Sequence, residues 1–151
     1  MKILVDADAC PVKDEIERIA AKRNVEVLHV CAHESMKRSS PGTNVVYVSQ
    51  GPDAADEWIL EHCGPDSIVI TQDVPLASRA VNLGAAVVDI RGQELHQENM
   101  PDRLQMRDLV TSLRDRGEPT RGPRPFSKQA RREFANTFAR VLDRLLRNKQ
   151  N

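Results

Sequence analysis

Residues 2–11 read K-I-L-V-D-A-D-A-C-P, and the rest of the chain is read from them. Ile3, Leu4 and Val5 form a short apolar run with β-branched ends, the pattern of a strand covered on both faces. Asp6 closes the run, Asp8 follows two residues later, and Pro11 suits the first turn of a helix. A parallel strand that ends on a carboxylate and turns into a helix puts that carboxylate at its carboxyl end. Open α/β sheets bind their ligands there. Two acids this close repel each other unless a cation or a proton sits between them. The same residues also suit a plain turn in which Asp8 caps the helix, so this stretch alone leaves both readings open.

Working outward, the design recurs. Val12, Ile16, Ile19 and Ala20 fall at helical spacing and predict a helix over residues 11–23. Residues 25–31 (V-E-V-L-H-V-C) read as a second strand and residues 45–48 as a short third. Between them lies a polar loop carrying Lys37 and Arg38, on the expected rim of the strand ends and suited to a phosphate or simply to solvent. Gly51-Pro52 turns the chain into a helix with Ala55, Trp58, Ile59 and Cys63 inward. Asp53 and Asp56 share one side of its first turn, where the helix dipole favours acids with or without a ligand. Residues 67–71 (S-I-V-I-T) form a fourth strand, apolar enough to be central. Asp73 follows, Pro75 opens another helix, and Gly84 stops it. Residues 85–90 are a fifth strand ending near Asp89. This alternation predicts an α/β fold with a mainly parallel five-stranded sheet covered on both faces.

Past Arg91-Gly92 the strands are expected to cease. Residues 93–99 read as a helical turn, and a helix from Pro101 carries Leu104, Leu109, Val110 and Leu113 inward. Ser127 caps a last helix with an apolar stripe of Phe134, Phe138, Val141, Leu142 and Leu145. Residues 1–116 thus read as an α/β domain, 117–126 as a Pro/Gly-rich connector, and 127–151 as a basic C-terminal helix packed on that domain.

The 151 residues suit one domain with a sizeable core, and with aromatics at 3% that core must be built from aliphatic residues. So few aromatics argue against a base-stacking platform for single strands. Three well-separated cysteines with no C-x-x-C spacing read as reduced thiols; Cys10 at a helix start suits a lowered pKa, but as a small residue beside Pro11 it more often has a structural role. No signal-peptide pattern or membrane span is legible, so a cytoplasmic protein with no membrane partner is expected. The net charge of zero hides a split. Residues 1–113 carry 11 Lys and Arg against 18 Asp and Glu, a net of −7, and residues 114–151 carry 11 against 4, a net of +7. Such asymmetry points to a polyanion partner or to docking of the basic part on the acidic part.

In a parallel sheet, Asp6, Asp8, Asp53, Asp56, Asp73 and Asp89 all fall on the carboxyl edge. That many carboxylates call for a hard divalent cation, Mg²⁺ or Mn²⁺. The four histidines show no ligand spacing with the cysteines, which disfavours zinc. A carboxylate-held cation suits in-line phosphodiester hydrolysis. RNA is then the candidate partner, with Lys37, Arg38, Arg121, Arg124, Lys128, Arg131 and Arg132 as phosphate contacts. Two other readings compete. The strand-D-x-D pattern also opens haloacid-dehalogenase-type phosphatases, in which Asp6 would attack phosphorus, Asp8 would act as acid–base and Thr71 would hold phosphate. A non-catalytic RNA-binding module with a degenerate site is the third.

V-D-A-D-A-C-P at 5–11, G-P-D-A-A-D at 51–56, T-Q-D-V-P-L-A at 71–77 and G-P-R-P-F-S at 122–127 together resemble the YaiI/YqxD family. The resemblance runs over essentially the whole chain. It implies the PIN-like nuclease fold, a three-layer α/β/α sandwich whose members hold Mg²⁺ or Mn²⁺ with three acids. It assigns those roles to Asp6 on strand one, to Asp56 (or Asp53) on a helix, and to Asp73 after the fourth strand. Asp8 is then an extra acid near the first, and Asp89 is the candidate for the last acid of PIN domains.

Overall fold

Ile3, Leu4 and Val5 are fully buried, as a strand covered on both faces requires. The computed structural model describes residues 1–7, 10–32, 44–48, 53–100 and 126–150. Asp8, Lys37, Arg38, Arg121 and Arg124, the helix expected from Pro101, and nearly all of the connector lie outside them. The described elements, in chain order, are β1 (Lys2–Asp6), α1 (Lys13–Ala21), β2 (Glu26–Cys31), β3 (Val45–Tyr47), α2 (Ala54–His62), β4 (Ser67–Ile70), α3 (Val74–Asn82), β5 (Ala86–Val88), β6 (Glu94–Leu95) and α4 (Lys128–Gln150).

The sheet order is β3-β2-β1-β4-β5-β6. The first five strands run parallel and β6 runs antiparallel to β5. Alternation along the strands sorts the core into two layers. Ile3, Val5, Ile68, Ile70 and Val88 pack against Ile16 and Ile19 of α1 and Phe134, Phe138, Val141 and Leu142 of α4. Leu4, Val30, Val69 and Val87 face Ala55 and Ile59 of α2 and Leu76, Ala77 and Ala80 of α3. The result is a three-layer α/β/α architecture. Phe134 and Phe138 stack with centroids 5.6 Å apart, each contributing about 1.5–3 kcal/mol through burial.

One expectation is corrected. The strands do not cease at Gly92: a sixth, two-residue strand follows, so the sheet has six strands rather than five. Asp89 Oδ1 accepts from Arg91 N at 3.0 Å and Gln93 N at 2.9 Å, and Gly92 turns the chain at φ +84°. Two residues are too few to display a period of two, which is why the pattern gave no sign of β6. Helix ends follow their signals more closely. Asp73 caps α3 by accepting from Leu76 N. Gly84, at φ +92°, ends it with Ala85 N donating to Ala80 O. Ser127 Oγ accepts from Ala130 N at the start of α4.

The basic helix α4 is docked by charge as well as by its apolar stripe. Arg23 Nε and Nη2 donate to the two oxygens of Asp143 at 2.6 and 3.1 Å. Arg144 forms a two-pronged pair with Glu94 of β6. Arg131 donates to Pro11 O at 2.6 Å, lies near Glu15, and stands over the Phe126 ring. Among the described residues, no helix is long and apolar enough to cross a membrane.

Candidate functional site

β1 lies beside β4 although 60 residues separate them in the chain. From β1 the order proceeds through β2 to β3 on one side, and from β4 through β5 to β6 on the other. The order reverses between these two central strands, β1 and β4, and at such a switch point open α/β sheets place their ligand crevice, outside the carboxyl ends of the strands. Asp6 ends β1 and Thr71 follows β4, so both stand at that crevice. Thr71, 1% exposed, joins the two sides: its hydroxyl donates to Asp6 Oδ2 at 3.0 Å and accepts from Asp73 N at 3.0 Å. Asp73 Oδ1 in turn accepts from Leu76 N. Both carboxylates are therefore oriented by protein groups before any ligand arrives.

Asp56 comes to the same place from the first turn of α2. Its carboxyl is pushed up from 3.8 to about 6, first by burial and then by the negative charges of Asp73, Asp6 and Asp53, with Arg79 pulling the other way. Four acids contributed by β1, α2 and the β4–α3 junction thus share one electrostatic field. Asp56 is half-buried, whereas Asp53 is exposed and stands at the N-cap of α2. Arg79 on α3 is a cation beside the cluster that the sequence reading did not single out. Nor did that reading assign Thr71 an orienting role, since a strand-terminal threonine carries no local signature. Asp89, the candidate for a fourth PIN-type acid, uses Oδ1 to close the β5–β6 turn.

The donor set is all carboxylate oxygen, the set a hard cation prefers. Among the described residues no three His, Cys, Asp or Glu side chains form a ready cage for a metal ion. A hard cation at this rim would be held by no more than two of these carboxylates, with waters completing its shell. At Cys10 the structure favours a structural thiol over a reactive one: burial pushes it up to about 11, so it stays protonated. Among the basic residues expected to meet phosphate, Lys128 and Arg132 are exposed, while Arg131 is engaged with Pro11 and Glu15.

Residues 4–144 match the family described as "Uncharacterized BCR, YaiI/YqxD family". The chain belongs to the YaiI/YqxD family. Membership extends over nearly the full chain in individual relatives. The chain is 42% identical over 149 residues to a UPF0178 protein of Pseudomonas fluorescens (strain SBW25), covering 97% of this chain and 99% of that one. It is 44% identical over 147 residues to UPF0178 protein BRADO3147 of Bradyrhizobium sp. (strain ORS 278), covering 97% and 90%. No solved structure matches.

Proposed function

We propose that this YaiI/YqxD chain is a divalent-metal-dependent nuclease of PIN-like type that hydrolyses RNA phosphodiesters at the β1/β4 crevice. The observation that carries the reading is the meeting of Asp6 and Asp73 at the β1/β4 switch point, joined through the Thr71 hydroxyl, with the half-buried Asp56 raised by burial and by their negative charge. A carboxyl raised by neighbouring negative charge is suited to a compensating cation. Asp6, Asp56 and Asp73 would share Mg²⁺ or Mn²⁺, one or two of them as direct ligands and the rest through its waters, with Asp8 or Asp53 as a further partner of those waters. Such an ion shields phosphodiester charge and lowers the pKa of water when bound.

The chain's own groups do the rest. Thr71 holds Asp6, and the amide of Leu76 holds Asp73, so neither carboxylate must reorganise. Asp56 is mostly ionised at pH 7 and available to a cation. Arg79 supplies positive charge beside the crevice, and Lys128 and Arg132 are free to meet a polyanion at longer range. The phosphatase alternative finds less support, because the Thr71 hydroxyl it needs for phosphate already bridges Asp6 and the Asp73 amide.

The test is incubation of labelled single-stranded and structured RNA with wild type and Asp6→Asn, in Mn²⁺ and in chelator. Cleavage should require Mn²⁺ and fall at least about 100-fold in Asp6→Asn. RNA retained without cleavage, indifferent to chelator and to Asp6→Asn, would replace the nuclease with a binding module. A trapped aspartyl-phosphate would favour the phosphatase.

A further inference from the structure

Among the described residues the sheet ends on one side at β3, which pairs with β2 alone. His29 N donates to Asn44 O at 2.9 Å and Val48 N to Cys31 O at 3.1 Å. Residues 44, 46 and 48 therefore turn their main-chain groups toward β2, and Val45 and Tyr47 turn theirs outward. An open strand edge is a template for another strand, and natural edges are usually blunted by charge, proline or a cover. Here the edge carries Tyr47, 45% exposed and one of two large exposed apolar side chains among the described residues.

Beside that edge runs a groove of about 460 Å³ lined by Tyr47, Val48, Asp53, Glu57, Trp58 and Glu61. Trp58 is held by stacking on His62, 3.8 Å between centroids, while His62 Nδ1 meets Trp58 O at 2.7 Å. Asp53, Glu57 and Glu61 recur every fourth residue, a step of about 6 Å along the helix. None of the three has a cationic partner among the described residues.

We propose that this edge receives an extended segment of a partner protein with Lys or Arg at alternate positions, added to the sheet alongside β3. Side chains on one face of a strand recur about every 6.6–6.8 Å, close to the step of the acid row. Outward main-chain groups of Val45 and Tyr47 bond the incoming backbone, and the acid row selects its charge. Tyr47 and Trp58 cover the alkyl stems of its cations. A nucleic acid is disfavoured here, since its phosphates would face three carboxylates. The inference stands apart from the hydrolytic reading and needs none of its residues beyond Asp53, which the test leaves intact.

Trp58 is the chain's single tryptophan, so its emission reports on the groove directly. An eight-residue peptide alternating Lys with Val is titrated against the full chain, beside the same peptide with Glu for Lys. The Lys peptide should give a saturable change and the Glu peptide none. Glu57→Gln with Glu61→Gln should weaken binding about 10-fold or more. Val45→Pro removes one outward N–H and should weaken it while leaving the far-UV spectrum unchanged. If that variant does not fold, a Lys peptide N-methylated at alternate residues replaces it and should bind more weakly than the parent. No emission change, equal binding by the double variant, an equal response to spermidine, or displacement of the peptide by RNA would each overturn the proposal.

Discussion

Asp56 and Asp53 have the same side chain, three residues apart on one helical turn, yet the fold treats them differently. Asp53 stands exposed at the end of α2, and Asp56 turns into the field of Asp6 and Asp73. The consequence for stability has a definite sign. The folded-state pKa of Asp56, about 6, lies above its ordinary 3.8. Between those values the native state binds more protons than the unfolded chain, so this contribution to stability falls as pH rises from about 4 to about 6. The penalty is fully present at pH 7 and absent below pH 4. Asp56→Asn removes it: the metal-free Tm should rise about 2–4 °C at pH 7, after discounting for partial exposure. At pH 4 the two proteins should melt nearly together. Scanning calorimetry at both pH values checks this, and an Asp56→Asn variant no more stable than wild type at pH 7 would remove the crowded-carboxylate account.

The elements differ in how far they depend on distant parts of the chain. The apolar runs Ile3–Val5 of β1 and Ile68–Ile70 of β4 are fully buried, so each strand is legible alone. α4 is a helix by its own stripe, but its seat is set by three arginine contacts and by the close approach of the β5–β6 turn. A Cβ on Gly92 would meet Glu133 O at 2.8 Å and Phe134 Cα at 3.0 Å, at a backbone φ of +84°. Gly92→Ala should therefore combine left-handed strain with a displaced α4, lowering stability by about 2–4 kcal/mol. Urea unfolding with an unchanged m-value measures it. Glu94 adds a pH dependence to the same contact. Burial alone would push its carboxyl up, but the Arg144 guanidinium prevails and holds it below the ordinary range, so the support it lends α4 is present near neutrality and lost on acidification.

At the scale of the whole molecule, charge organises the chain. The acidic part, with a net of −7 over residues 1–113, gathers acids at one rim, and the basic part is turned partly back onto the domain by Arg131 and Arg144. A cation at the crevice would offset the repulsion among Asp6, Asp56 and Asp73. Mn²⁺ at about 100 times its dissociation constant should then stabilise the fold by about 2.7 kcal/mol. Asp6→Asn or Asp73→Asn should raise the metal-free Tm and abolish the Mn²⁺ shift, and in wild type the shift should fade below pH 6 as Asp56 takes a proton. Thermal shift across pH tests the three together, and a Mn²⁺ response surviving in both variants would place the ion elsewhere.

By itself the sequence determined the first five strands and helices α1 to α4, because buried strands and amphipathic helices write their periods locally. It also determined that aspartates follow the first and fourth strands, and that Asp73 and Ser127 could cap helices, since a cap depends on residues three positions away. Only the tertiary structure decided that β1 lies beside β4, which brings Asp6 and Asp73 to one crevice with Thr71 between them. Only it left Asp53 exposed and Asp56 half-buried, added β6 and set Arg79 near Asp56. These depend on contacts between residues far apart in the chain, whose closure is governed by packing and leaves no local period to read.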